Sequence, residues 1–202
     1  MGKFTRDDVD KFCDYDIYIP TRTLYMGPAE VSIEHGVSEV DEAMAERVIK
    51  GLHILDNTNH DPINVILNTQ GGSVVQGFAI YDAIKSCKSH VTVKAIGECS
   101  SMGTVIIQAA DKRIVAPHVT FMIHVGTTSA PQDHVKNVKN AMRWDDKLDE
   151  FVNNIYMARI QEKNPTFTKA QLSTKLLFDN YLTAQEAIDL GLADKILGED
   201  DE

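Results

Sequence analysis

From Asp16 onward, apolar residues recur in short runs separated by Gly- and Pro-bearing breaks. Ile17, Ile19, Leu24 and Met26 predict short strands, interrupted by Pro20 and closed by Gly27-Pro28. Residues 39–56 carry Val40, Ala43, Met44, Val48, Ile49, Leu52 and Leu55 at helical spacing, with Ser38 as candidate N-cap. The apolar run 63–68 predicts a buried strand. Thr69-Gln70-Gly71-Gly72 breaks it, and residues 73–87 predict a helix. Residues 91–97 predict another strand, followed by a small-residue turn and an apolar helix over 101–110. Short strands follow at 113–116 and 119–123. Strand, small-residue turn and helix thus alternate, the pattern of βαβ units in a mostly parallel α/β sheet. Strands that read as continuous apolar runs are buried on both faces.

After His124 the texture changes. Residues 125–131 are rich in Gly, Thr, Ser and Pro, and 132–163 form one long helical pattern. Val135, Val138, Met142, Leu148, Phe151, Ile155 and Ala158 trace its apolar stripe. A helix of about 30 residues is about 45 Å long. It either covers the domain's own core or projects onto another subunit. Asn164-Pro165 ends it, and a short amphipathic helix spans 168–177. Thr183–Leu190 form another, with Thr183 and Glu186 as a capping box and Gly191 as C-cap. Residues 192–197 predict a final strand. Residues 1–15 are polar without a clear period and read as a flexible or partner-dependent arm; 198–202 form an acidic tail. Residues 16–197 read as a single domain.

The 202 residues hold 20 Lys and Arg against 30 Asp and Glu, a formal charge of −10. That charge disfavours nucleic acid as a partner. No apolar run is long enough for a membrane span, and the N-terminus has no signal-peptide pattern. Cys13, Cys87 and Cys99 are odd in number and widely spaced, which points away from a disulfide framework or a zinc site and towards a reducing cytoplasm. No cofactor and no metal are expected.

Two turns stand at strand-to-helix junctions: 68–72 and 97–103. In an open α/β sheet such turns line the binding crevice, and a helix start offers unpaired N–H groups to an oxyanion. Neither turn has a nucleotide-binding glycine pattern or an α/β-hydrolase elbow. Ser100 and Ser101 both sit at a helix start, and a hydroxyl nucleophile needs a base. Of seven His, His124 closes an apolar strand before a Gly/Ser-rich loop, and His118 is the runner-up. A Ser at a helix start is more often only an N-cap. Val74, Met102 and Val125 would give such a crevice apolar walls that tolerate hydrophobic groups.

Gly97-Glu98-Cys99-Ser100-Ser101-Met102-Gly103 resembles the nucleophile turn of the Clp protease proteolytic subunit, the ClpP family. Phe121-Met122-Ile123-His124 resembles that family's strand ending in the catalytic His. Asp179-Asn180-Tyr181-Leu182-Thr183-Ala184 resembles its Asp-bearing strand and following helix, and Gly191-Leu192-Ala193-Asp194 its closing segment. Asn68, Gly71-Gly72 and Ile80-Tyr81-Asp82 match the first glycine turn and its helix, so the resemblance runs over about residues 16–197. It implies a crotonase-like ββα superhelix with a projecting handle helix over about 125–163. It implies a serine endopeptidase with Ser101 as nucleophile, His124 as base and Asp179 as its orienter. The oxyanion hole would be the N–H groups of Gly72 and Met102. An extended peptide would lie along Gly71, Val125, Gly126 and Thr127. The assembly implied is two stacked heptameric rings, a tetradecamer, fed unfolded polypeptide by an AAA+ unfoldase.

Several positions depart from the family. Val125-Gly126 replaces Gln-Pro, Thr69-Gln70 replaces Ser-Pro, and Asn180 replaces an Arg that pairs across the ring interface. Asn64 and Ile66 stand where two Tyr line the docking pocket for the unfoldase. The chain is longer near 164–174, and the arm lacks the family's axial-loop pattern. These leave the three side chains in place and point to weakened unfoldase docking. The competing readings are a silent or partner-activated ring subunit and a phage-type maturation protease of the same fold. A coenzyme A enzyme of crotonase type would not need the Ser–His–Asp set.

Overall fold

A computed structural model describes residues 5–28, 38–126 and 134–199. In chain order the elements are α1 (Arg6–Tyr15), β1 (Ile17–Tyr18), β2 (Thr23–Met26), β3 (Glu39–Val40), α2 (Glu42–Thr58), β4 (Ile63–Thr69), β5 (Gly71–Gly72), α3 (Val74–Ser86), β6 (Val91–Ser100) and α4 (Met102–Ile106). There follow β7 (Lys112–Val115), β8 (Thr120–Ile123), α5 (Val135–Lys163), α6 (Lys169–Leu176), β9 (Asn180–Leu182), α7 (Ala184–Leu190) and β10 (Lys195–Ile196). One-turn 3-10 helices precede β2 and continue α4.

The main sheet runs β1-β2-β4-β6-β7-β10, parallel except for the antiparallel edge strand β1. Strand β6 is long enough to pair twice. Its first half meets β7, and Glu98–Ser100 meet β8, which carries β9 antiparallel on its far side. The strand does not stop at Gly97, as its glycine predicts. Gly97 takes φ +65° and the β4 register slips there, with Leu67 opposite Ala95 but Thr69 opposite Cys99. The glycine therefore makes a bulge that re-aims the strand. Asn68 Oδ1 accepts the Glu98 N–H across this bulge at 3.0 Å.

Helix α2 starts later than its apolar period predicts. Asp41 caps it by accepting the Met44 N–H at 2.8 Å, whereas the Ser38 hydroxyl donates to Asn68 O. Helix α1 lies where the sequence showed no period. A capping box between Thr5 and Asp8 starts it, it buries no residue, and Phe12 meets Tyr18 edge-on. The core is one cluster around Val65, Leu67, Val93, Ala95, Ile106, Phe121 and Ile123, all buried. Helix α2 packs on β2, β4 and α3, and α4 packs on α3 and beneath β6 and β8.

The apolar stripe read from the sequence is not the buried face of α5. Val135, Met142, Phe151 and Ala158 are exposed and Val138, Leu148 and Ile155 only half-buried, whereas Tyr156, Met157 and Ile160, which lie off that stripe, are buried against the domain. The helix therefore covers its own core only at its C-terminal end. The predicted final strand shrinks to Lys195–Ile196, paired with Ile114 and Val115. No helix among the described residues is long and apolar enough to cross a membrane.

Candidate active site

The pairing of β8 on β6 builds the site. The Ser101 N–H, one residue past the end of β6, donates to Met122 O at 2.8 Å. His124 lies two residues beyond Met122. In β9 the register sets Ile123 opposite Asn180, so one step further His124 faces Asp179. The side chains meet accordingly. His124 Nε2 lies 2.7 Å from Ser101 Oγ, and His124 Nδ1 lies 3.1 Å from Asp179 Oδ1. The His124 side chain is mostly buried, and that of Asp179 is more than half exposed.

Ser101 itself is strained. Its φ of +52° with ψ of −121° puts a non-glycine residue in a sparsely populated region. A sharp strand-to-helix turn of this kind lifts a hydroxyl clear of the sheet. The turn is held from below. Thr104 Oγ1 donates to Ser101 O at 2.6 Å, and the wholly buried Tyr156 hydroxyl lies 2.6 Å from the same Oγ1. Burial pushes the Tyr156 phenol up, so it stays a donor.

Gly71 lies against the same turn. A Cβ added there, at φ +99°, would come within 2.6 Å of Ser101 Cβ, 2.8 Å of Ser100 O and 2.9 Å of Met102 N. Only glycine fits such a position. The approach sets the glycine turn beside the first N–H of α4, which has no partner within its helix. Gly72 pairs with Val40 through the small β3–β5 ladder, and Thr69 Oγ1 braces the turn by accepting the Gly71 N–H and donating to Ser38 O.

The structure separates candidates that the sequence left together. Ser100 is buried and its hydroxyl donates to Glu98 Oε1, away from His124. His118 is exposed in the turn before β8. Cys99, two residues from Ser101, is fully buried, which raises its thiol pKa and keeps it protonated. Val125 and Gly126 follow His124 without regular structure, and the Val125 N–H donates to Leu176 O at 3.1 Å. Thr127 lies outside the described residues. Asn64 and Ile66 lie on the half-buried face of β4, alternating with buried Val65 and Leu67.

A cleft of about 60 Å³ opens beside Ser101 and His124. Its walls include Val74, Met102, Val105 and Val152, with Tyr156 also in the lining. Asp149 and Asn153 of α5 line it too. Sequence reasoning missed both, because nothing local marks a polar residue on a charged helix as facing a cleft. The spacing of four residues from Asp149 to Asn153 on the turn before Tyr156 was the available signal.

The family model for Clp protease matches residues 30–200. Among curated proteins the chain is similar to ATP-dependent Clp protease proteolytic subunit 2 of Prochlorococcus marinus (strain MIT 9312). The two are 34% identical over 166 residues, 79% of this chain and 77% of the relative. It is 32% identical to proteolytic subunit 2 of Pseudomonas aeruginosa over 163 residues, 78% of this chain and 77% of the relative. It is 32% identical to proteolytic subunit 3 of Synechococcus sp. (strain CC9902) over 167 residues, 79% of each chain.

Proposed function

The chain belongs to the Clp protease family and has its ClpP/crotonase-like fold, and on that premise we propose that it is a self-compartmentalised serine endopeptidase acting on unfolded proteins or short peptides. One observation carries the reading: a single imidazole bridges a strained serine and a carboxylate, at 2.7 Å and 3.1 Å. Ser101 Oγ attacks the carbonyl carbon of the scissile bond while His124 Nε2 takes its proton. Asp179 holds the other imidazole nitrogen, fixing the tautomer and stabilising the imidazolium. The oxyanion is held by the N–H groups of Met102 and Gly72, which stand at the two apposed turns. One such donor is worth roughly 10²–10³ in rate. The imidazolium then protonates the leaving amine. Water, deprotonated by the same His124, cleaves the acyl-serine and returns its proton to Ser101. Gly71, Val125 and Gly126 border the groove for an extended peptide, which gains backbone hydrogen bonds with little sequence demand.

Confinement of the site is the second part of the reading. The N-terminal two thirds of α5 expose Val135, Met142, Trp144 and Phe151, and Trp144, Leu148 and Phe151 border an apolar groove together with Val75 and Phe78. A surface of this kind supports burial between copies in stacked heptameric rings. Asn180 removes one charge pair from such a ring contact. Asn64 and Ile66, in place of aromatic residues, weaken docking of an AAA+ unfoldase.

Fluorophosphonate labelling, read by intact mass beside a native mass of the assembly, tests the reading. One adduct per chain is expected on the ring, and none in Ser101→Ala. A fully assembled ring that takes no adduct overturns the peptidase reading in favour of a silent or partner-activated subunit.

A further inference from the structure

The cleft beside Ser101 is apolar on most of its surface but is also lined by the carboxylate of Asp149. Asp149 has no hydrogen-bond or ion-pair partner among the described residues, and neither does the Asn153 side chain one turn further along α5. The Tyr156 hydroxyl, by contrast, is already occupied by Thr104. A Cβ built on Gly126 would lie 3.8 Å from Asp149 Oδ1, so the carboxylate stands against the backbone that follows His124. Partial burial, then the charges of Asp146 and Asp145, raise the Asp149 pKa above its ordinary 3.8. Both causes make the site one that gains from an added positive charge. Asp149 is exposed at the rim of the cleft, so a cationic end can reach it from the apolar walls. The formal charge of −10 adds a field of the same sign.

We propose that this cleft is a subsite for a lysine or arginine side chain of the substrate, its aliphatic stem along Val74, Met102 and Val152 and its cationic end on Asp149 and Asn153. The inference rests on the serine-peptidase reading and names the substrate class that reading leaves open. The residue concerned is the one that supplies the attacked carbonyl, because the cleft adjoins both Ser101 and Met102. Long cationic side chains divide their surface in this way, with the stem against apolar atoms and the charge at the tip. The carboxylate offers two acceptor oxygens and the amide one, against three donors on an ammonium and five on a guanidinium. The apolar walls alone favour hydrophobic residues, as Val74, Met102 and Val125 led the sequence to predict; Asp149 turns that preference towards a hydrophobic stem with a charged end.

Fluorogenic peptide amides that differ only in the residue before the cleaved bond provide the test. That residue is lysine, arginine or norleucine, which keeps the stem of lysine without its charge. Lysine and arginine are expected to exceed norleucine in kcat/KM by roughly tenfold or more, the scale of one charge-assisted contact. Asp149→Asn is expected to cut that ratio by about tenfold, and Asp145→Asn to leave it within about twofold. A wild-type preference for norleucine overturns the proposal. So does a ratio that Asp149→Asn leaves in place, or one that Asp145→Asn moves equally, which would mean a general field rather than a subsite. The same intact peptides are then bound to Ser101→Ala protein, read by fluorescence anisotropy. If wild-type protein hydrolyses no peptide, the peptidase reading fails, while tighter binding of the lysine peptide, lost in the Ser101→Ala, Asp149→Asn double variant, still upholds the subsite. Equal binding of lysine and norleucine peptides rejects it.

Discussion

The two ends of the parallel sheet are built differently. Where β2, β4, β6 and β7 begin, side chains close hydrogen bonds onto the loops. The Arg22 guanidinium donates to Leu55 O, Asn59 O and Asp61 O, and to Ser89 Oγ. Asp56 accepts from the N–H groups of Lys88 and Ser89 and from the Ser89 hydroxyl, and Asp111 accepts the Val91 N–H. Arg113, buried at the start of β7, pairs with Asp194 and also donates to Gln108 Oε1 and Gly191 O. Where β4 and β6 end, the chain instead runs through Gly71-Gly72 and a Ser101 at positive φ. There stand helix starts with open N–H groups and Ser101, His124 and Asp179, on turns braced by the Thr69 and Thr104 hydroxyls. Charged clamps occupy one end and the strained serine the other.

Substitutions at the two ends should therefore separate activity from stability. The largest effect is expected from Gly71→Ala at the strained end. Its Cβ would meet backbone of Ser100 and Met102, so nucleophile and helix start must shift together. Fluorophosphonate labelling should slow by about 10³-fold, the upper range for losing one oxyanion donor. Labelling within a few-fold of wild type would show that the close approach is dispensable. At the clamped end, Asp194→Ala leaves the buried Arg113 without its carboxylate. Urea unfolding should show a loss of about 4 kcal/mol, while the folded variant still labels at Ser101. An unchanged midpoint would break the contrast from that side.

A smaller effect with a distinct pH signature is expected from Asp56→Asn, about 2 kcal/mol at neutral pH. Burial opposes ionisation of Asp56, but the bonds from Ser89 and Lys88 outweigh it and hold its pKa at about 2, below the ordinary 3.8. A carboxyl depressed in the folded state contributes stability above its unfolded pKa and loses it as pH falls through the folded one. The gap between wild type and Asp56→Asn should thus be level above about pH 4 and close between 4 and 2. A gap that stays constant down to pH 2 would mean that the Asp56 charge contributes nothing.

Much of this molecule is legible along the chain because its signals are local. The helix over Val74–Ser86 follows from apolar spacing and Ser73 at its start, and the short α7 from Thr183, Glu186 and Gly191. Ile63–Thr69 is a strand in which Ile63, Val65, Leu67 and Thr69 are buried and Asn64, Ile66 and Asn68 half-buried, the two-residue period of a pleated strand. The misreadings also have local causes. Gly97 looks like a strand end but bends β6 on towards β8, since a glycine at positive φ serves either purpose. Helix α1 carries only a short apolar set, Val9, Phe12 and Cys13, and its capping box, the Lys11–Asp7 ion pair and the Phe12–Tyr18 contact support it.

By itself, then, the sequence determined the alternation of strands and helices, the two small-residue turns and the presence of a serine and a histidine near them, because propensity, capping and turn chemistry act over a few residues. The family resemblance added Asp179, which local spacing does not reveal. The resemblance also singled out Ser101 from Ser100; the tertiary structure brings Ser101 and a carboxylate 55 residues beyond His124 to the same imidazole, and it alone set Asp149 at the cleft. It also chose Tyr156, Met157 and Ile160 as the buried face of α5 and left Val135, Met142 and Phe151 of the predicted stripe exposed. Those outcomes depend on the register of β8 between β6 and β9 and on where a long helix leaves the domain. Such distances between remote segments are set by packing, and no local pattern encodes them.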